Sequence, residues 1–143
     1  ELATRLSYFL WSSMPDDELT TIAANGALRD AGVLDAQVRR MLRDPKSDRF
    51  IENFGGQWLT LRNLARADPD PELFPEFDDA LREAMLEETT RFFQEILLED
   101  RSVLDFVDAD FTYLNERLAL HYGIADIHGD EFRRVELVDN KMK

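Results

Sequence analysis

The chain of 143 residues contains no cysteine. Disulfides, thiolate nucleophiles, cysteine-ligated zinc and covalent haem attachment through C-x-x-C-H are thereby excluded within it. The absence fits either redox compartment and decides nothing about location. No apolar run approaches the roughly 20 residues needed to span a bilayer. The opening Glu1-Leu-Ala-Thr-Arg5 lacks the charge and apolar order of a secretory signal, so the signal of an exported parent would lie upstream. Basic residues are also scarce, with seventeen against thirty acidic ones and a net charge of −13. Such a surface repels phosphate backbones and anionic head groups, which argues against nucleic-acid or membrane-surface binding. It suits a solvated acidic face, a cationic partner or a salty medium.

What is present is helical periodicity. Leu2, Leu6, Phe9 and Leu10 fall on one helical stripe, and Pro15 suits a first helical position before Asp16, Asp17 and Glu18. Gly26 offers a left-handed stop. A third helix from about Asp30 carries Leu34, Val38, Met41 and Leu42, and Pro45 lies just beyond its end. Ser47 is a good N-cap for a fourth helix bearing Phe50, Ile51, Phe54, Trp58 and Leu61. Gly55-Gly56 in its middle costs about 1 kcal/mol per glycine relative to alanine, which implies a close neighbour or a local kink. It is no phosphate loop, since no strand precedes it and no lysine with serine or threonine follows.

Prolines 69, 71 and 75 make residues 63–77 a long irregular loop, pinned to the body by Leu73, Phe74 and Phe77. The longest helix is expected from about Asp78 to Glu99, with Leu81, Met85, Thr89, Phe92, Ile96 and Leu97 inward. Ser102 to Asp105 has a capping-box pattern. Thr112 or Asp110 then caps a sixth helix with Leu114, Leu118 and Tyr122, ended by Gly123. Phe132–Val138 alternates and reads as one strand, whose edges need a partner from elsewhere.

Several residues are candidates for chemistry. Asp105, Asp108 and Asp110, followed by Asn115 and Glu116, cluster carboxylates as a calcium loop would. The EF-hand glycine and final glutamate are missing, and helix capping by Asp105 and Asp110 accounts for the same residues. Glu83, Glu87, Glu88, Glu95 and Glu99 crowd the fifth helix. Di-iron bundles need Glu-x-x-His pairs, but Leu118 and Ala125 stand three residues before His121 and His128, so the glutamates read as a solvated face. His121 near a helix end complements the dipole, and a haem-ligand or general-base role would leave it without an orienting partner. His128 reads as exposed loop. Tyr8, Trp11, Trp58, Tyr113 and Tyr122 could stack on sugars, but at helical spacing they fit a core. No catalytic, cofactor-binding or metal-ligating set emerges.

Three stretches carry a resemblance: Leu6–Leu19, Phe50–Leu59 with its Phe-Gly-Gly-Gln-Trp, and Asp105–Ile124 with its Asp-Phe-Thr-Tyr-Leu-Asn-Glu-Arg. Phe74–Met85 adds a fourth. Together they resemble a domain of unknown function from multidomain proteins abundant in Planctomycetes, the fourth planctomycete-specific domain family. The resemblance implies an exported, periplasmic or cell-envelope protein in which this module adjoins other domains, often a haem-c domain. It supplies no catalytic residues. The family's chain is expected to continue past Leu137 into a further domain, whereas this one reaches Asn140-Lys-Met-Lys143, as a domain excised from a larger protein would.

The sequence therefore predicts an all-α single domain over 1–143, a compact orthogonal bundle of about six helices with a Pro-rich loop and a short extended tail. The expected role is a non-catalytic structural or interaction module of an exported, cytochrome-c-associated protein. Its partners would be neighbouring domains of the parent chain or a basic protein or cytochrome, with no cofactor in this segment and haem c elsewhere in the parent. The alternative is a non-autonomous part of an oxidoreductase or polysaccharide-degrading enzyme completed by other domains.

Overall fold

The computed structural model describes residues 1–137. The chain is mostly helical and divides into two compact units, Glu1–Phe54 and Gly55–Lys143.

In the first unit, α1 (Leu2–Trp11), α2 (Asp17–Ala24) and α3 (Ala31–Leu42) pack together, followed by the short α4 (Asp48–Phe50). The buried stripe of α1 is Ala3, Ser7, Leu10 and Trp11. That is one position round from the expected Leu2, Leu6 and Phe9, because two polar anchors set the rotation. The Trp11 indole N–H donates to the Met41 carbonyl at 2.8 Å, and the Ser7 hydroxyl donates to the Ser13 carbonyl at 2.7 Å. Phe9 instead joins Phe50 at 5.0 Å and Phe54 at 6.4 Å in an edge-on aromatic cluster.

Helix α2 starts later than Pro15 suggests. Asp16 is its N-cap, accepting from the Leu19 amide at 2.9 Å and holding the Arg40 guanidinium at 2.7 and 3.1 Å. That pairing keeps the Asp16 carboxyl below its ordinary value of 3.8. Gly26 has φ +77, as its stop role requires. Ser47 does not cap α4. Its hydroxyl donates to the Leu42 carbonyl at 2.7 Å, and Asp44 takes the capping role ahead of it, accepting from the Lys46 amide.

The run from α4 continues through a π-helical turn, Ile51–Gly55, into α5 (Gly56–Trp58). A Cβ on Gly55 would lie 3.4 Å from the Phe93 ring, so this glycine admits a close neighbour, and the irregular turn accompanies it.

The second unit contains α6 (Leu61–Leu64), α7 (Asp79–Leu98), α8 (Asp105–Asp108), β1 (Phe111–Leu114), α9 (Glu116–Tyr122) and β2 (Arg133–Glu136). β1 and β2 pair antiparallel, Phe111 opposite Glu136 and Leu114 opposite Arg133. This small sheet overturns the all-α expectation: the protein is mixed, though mostly helical. The partner of the tail strand is the segment assigned to the front of the sixth helix. Phe111, Thr112 and Tyr113 favour strand backbone through their aromatic and β-branched side chains. Asn115, not Thr112 or Asp110, caps α9 by accepting from the Leu118 amide at 3.0 Å, and Gly123 ends it at φ +70. Val138 and Asn140–Lys143 lie outside the described residues.

α7 is capped by Asp78, which accepts from the Leu81 amide at 2.7 Å. Its buried residues are Leu81, Ala84, Phe93 and Ile96. Phe93 thus takes the buried place expected of Phe92, which is half-buried against Phe111 and Phe106. Leu81 and Ala84 pack with Leu114, Leu118, Ala119, Ile124 and Ile127 in one cluster that also receives Phe77. Of the three apolar residues expected to pin the Pro-rich loop, Phe77 does so, whereas Leu73 and Phe74 are exposed.

Candidate functional site

α7 packs across β1, and two of its glutamates point there rather than into solvent. Glu88, Phe92 and Glu95 fall at i, i+4 and i+7, one face of the helix. Reading all five glutamates as a solvated face is therefore corrected for Glu88 and Glu95. Glu83 and Glu99 are exposed, and Glu87 pairs along the helix with Arg91 at 2.6 Å.

The Glu95 side chain is only 10% exposed and gathers three donors. The Tyr113 hydroxyl donates to it at 2.5 Å, Arg134 Nε lies 3.1 Å from both oxygens, and Arg101 Nη1 lies at 3.4 Å. Arg101 also binds Asp105 at 2.7 Å, and Arg134 also binds Glu136. Both guanidiniums stand over the Phe111 ring, at 4.5 and 4.2 Å from its centre. Burial, with the adjacent Glu95 charge, pushes the Tyr113 phenol up to about 12. It remains a proton donor at neutral pH. Glu95, Arg101, Tyr113 and Arg134 line a hollow of about 720 Å³.

Glu88 sits in a second hollow of about 420 Å³, walled by Phe92, Phe106, Phe111 and Ile124 with Val107 at its edge. The Thr112 hydroxyl donates to one carboxylate oxygen at 2.5 Å and the Tyr122 hydroxyl to the other at 2.8 Å. Burial and the Glu88 charge raise the Tyr122 phenol, which stays protonated. Among the described residues no cation of the chain pairs with Glu88.

The other candidates are dispersed. Asp105 pairs with Arg101 and does not cap α8, and the Asp110 carbonyl accepts from the Leu137 amide at 2.6 Å. Asp108 is the last residue of α8. Asn115 is engaged as a cap. Glu116 accepts from the Gly129 amide at 2.6 Å, which holds its carboxyl below the usual range. Among the described residues no group of three His, Cys, Asp or Glu side chains is placed to hold a metal.

His121 is exposed on the last turn of α9, its ring 5.4 Å from Tyr122. His128 is exposed in its loop, 3.7 Å from Glu116. The aromatic residues form no common platform. Trp11 is core, Tyr8 donates to the Met14 sulfur at 3.3 Å, and Trp58 lies edge-on to Phe106 at 5.0 Å. The residues that build both hollows, Thr112, Arg101, Arg134 and Phe106, carry no motif. The one legible sign was the 88–92–95 spacing.

No helix among the described residues is long and apolar enough to cross a membrane. No curated protein matches the chain, and no solved structure does. Residues 1–124 match a family described as "Protein of unknown function (DUF1592)", which takes in α1 to α9 and the lining of both hollows apart from Arg134 and Leu137. The chain belongs to that family.

Proposed function

We propose that this segment is a non-catalytic interaction module of a larger exported protein of the planctomycete type, associated with c-type cytochromes. One observation carries the reading. Val103, Leu104 and Val107, in and before α8, are 68%, 71% and 89% exposed, an apolar turn on an otherwise strongly acidic chain. Contiguous apolar surface with a polar surround marks a contact site. The polar side chains that a catalyst would aim at substrate are engaged inside the chain: Asp105 by Arg101, Asn115 by the α9 amide, Glu95 by Tyr113 and two arginines. A neighbouring domain of the parent would cover the apolar turn, and the surplus of carboxylates would steer a basic partner such as a cytochrome.

Charge steering is tested by titrating the domain with a basic c-type cytochrome by calorimetry at low and high salt. Screening within about 10 Å at 0.1 M ionic strength predicts affinity that falls by about tenfold or more as salt rises. Absence of heat at low salt would remove cytochrome docking by charge.

A second reading has one observation in its favour. Tyr113 lines the hollow of about 720 Å³ beside Glu95 and Arg101, so the domain could supply one wall of an oxidoreductase or polysaccharide-degrading site. On that reading Tyr113→Phe lowers turnover of the whole parent protein while its melting temperature holds. Unchanged turnover counts against it.

A further inference from the structure

The Glu88 hollow has a chemistry that the interaction role does not use. Its carboxylate is half-buried, and its two recorded partners are neutral hydroxyls, Thr112 at 2.5 Å and Tyr122 at 2.8 Å. Contrast Glu95, seven residues along the same helix, whose charge is answered by two guanidiniums. The second acid of the hollow, Asp105, is neutralised by Arg101 at 2.7 Å. Among the described residues one negative charge is left without a cation, set among the rings of Phe92, Phe106 and Phe111 in a space of about 420 Å³. That volume is within the range of small-molecule sites, about 300–1,000 Å³.

We propose that this hollow binds a small organic cation, an ammonium carried on an aromatic or aliphatic body, with Glu88 as its counter-ion. The two hydroxyls hold the carboxylate in one orientation, and each of its oxygens keeps a free lone pair for an ammonium N–H. Aromatic faces attract the same cation through their quadrupoles while the apolar body displaces water from Phe106 and Ile124. An anion is disfavoured by Glu88, and a neutral apolar molecule would leave that charge desolvated without compensation. Binding is reversible and involves no covalent step.

The probe is phenethylammonium chloride, titrated into the whole chain by calorimetry, with phenethyl alcohol as its uncharged counterpart. The ammonium is expected to bind with millimolar or better affinity, and the alcohol about tenfold more weakly. Glu88→Gln should weaken the ammonium by about tenfold and leave the alcohol unchanged. Glu83→Gln, on the exposed face of the same helix, should change neither. If Glu88→Gln does not fold, Val107→Arg serves, because that position is 89% exposed and tolerates a charge at the mouth. It should repel the ammonium and spare the alcohol. No binding at about 10 mM, equal binding of alcohol and ammonium, or equal loss in Glu83→Gln and Glu88→Gln would each overturn the proposal.

Discussion

The two compact units use charge differently. In Glu1–Phe54 the principal long-range ion pair, Asp16 with Arg40, stitches one helix cap to another helix, and both side chains are under a third exposed. The pair serves the backbone, since Asp16 also caps α2. In the unit beginning at Gly55, Glu88 and Glu95 leave a helix to meet the hydroxyls and guanidiniums of a sheet and its flanks. Those contacts line hollows rather than close a helix end. The same residue types make a clamp in one region and a recessed, chemically differentiated surface in the other. Packing a helix on a two-stranded sheet leaves space beyond the sheet edges, and polar side chains line it.

The largest expected effect comes from the core of the second unit. Leu118 is fully buried against Leu81 and Leu114, so Leu118→Ala should cost about 2–5 kcal/mol, read as a lowered denaturation midpoint. A loss under about 1 kcal/mol would mean that α9 does not seat on α7 as described.

A smaller effect sharpens the contrast between the clamps. Glu95→Gln removes the charge between two arginines that share one ring, and should cost about 2 kcal/mol. Asp16→Asn keeps the cap of α2 and loses only a partly screened ion pair, so it should cost about 0.5–1 kcal/mol. Chemical denaturation of the two variants gives the comparison. Equal losses would erase the distinction between a structural clamp and a charge-matched recess.

The subtlest test uses alkaline pH. The Tyr113 phenol is raised from 10.0 to about 12 in the fold, so its stabilising contribution is complete below pH 10. Above that the unfolded phenol ionises first, and the contribution declines between about pH 10 and 12. Tyr122 acts in the same direction. Ultraviolet titration should show Tyr113 and Tyr122 ionising late. Removing Glu88 should bring only Tyr122 back toward its ordinary value.

Much of the helical layout was legible from residue order. Asp78, Gly26 and Gly123 mark boundaries through local chemistry, and Leu81, Met41 and Ile96 fall on faces that periodicity identifies. Phe111–Leu114 was not, because four residues with apolar ends suit a strand or the first turn of a helix equally well. The choice was made by Arg133–Glu136, some twenty residues on, whose backbone groups needed the pairing. Helix α1 misled for a related reason. Its stripe could rotate by one position without loss of apolar character, and two carbonyls beyond the helix, of Ser13 and Met41, set the angle.

By itself the order of residues determined a largely helical, acidic chain without thiol chemistry, and its family. Those follow from composition, local backbone preference and long matching segments. Only tertiary structure decided which glutamates face inward, which cations answer them and that Glu88 meets hydroxyls where Glu95 meets guanidiniums. Side chains brought together from residues 88, 95, 101, 113 and 134 meet because of packing, and no spacing along the chain encodes such a meeting.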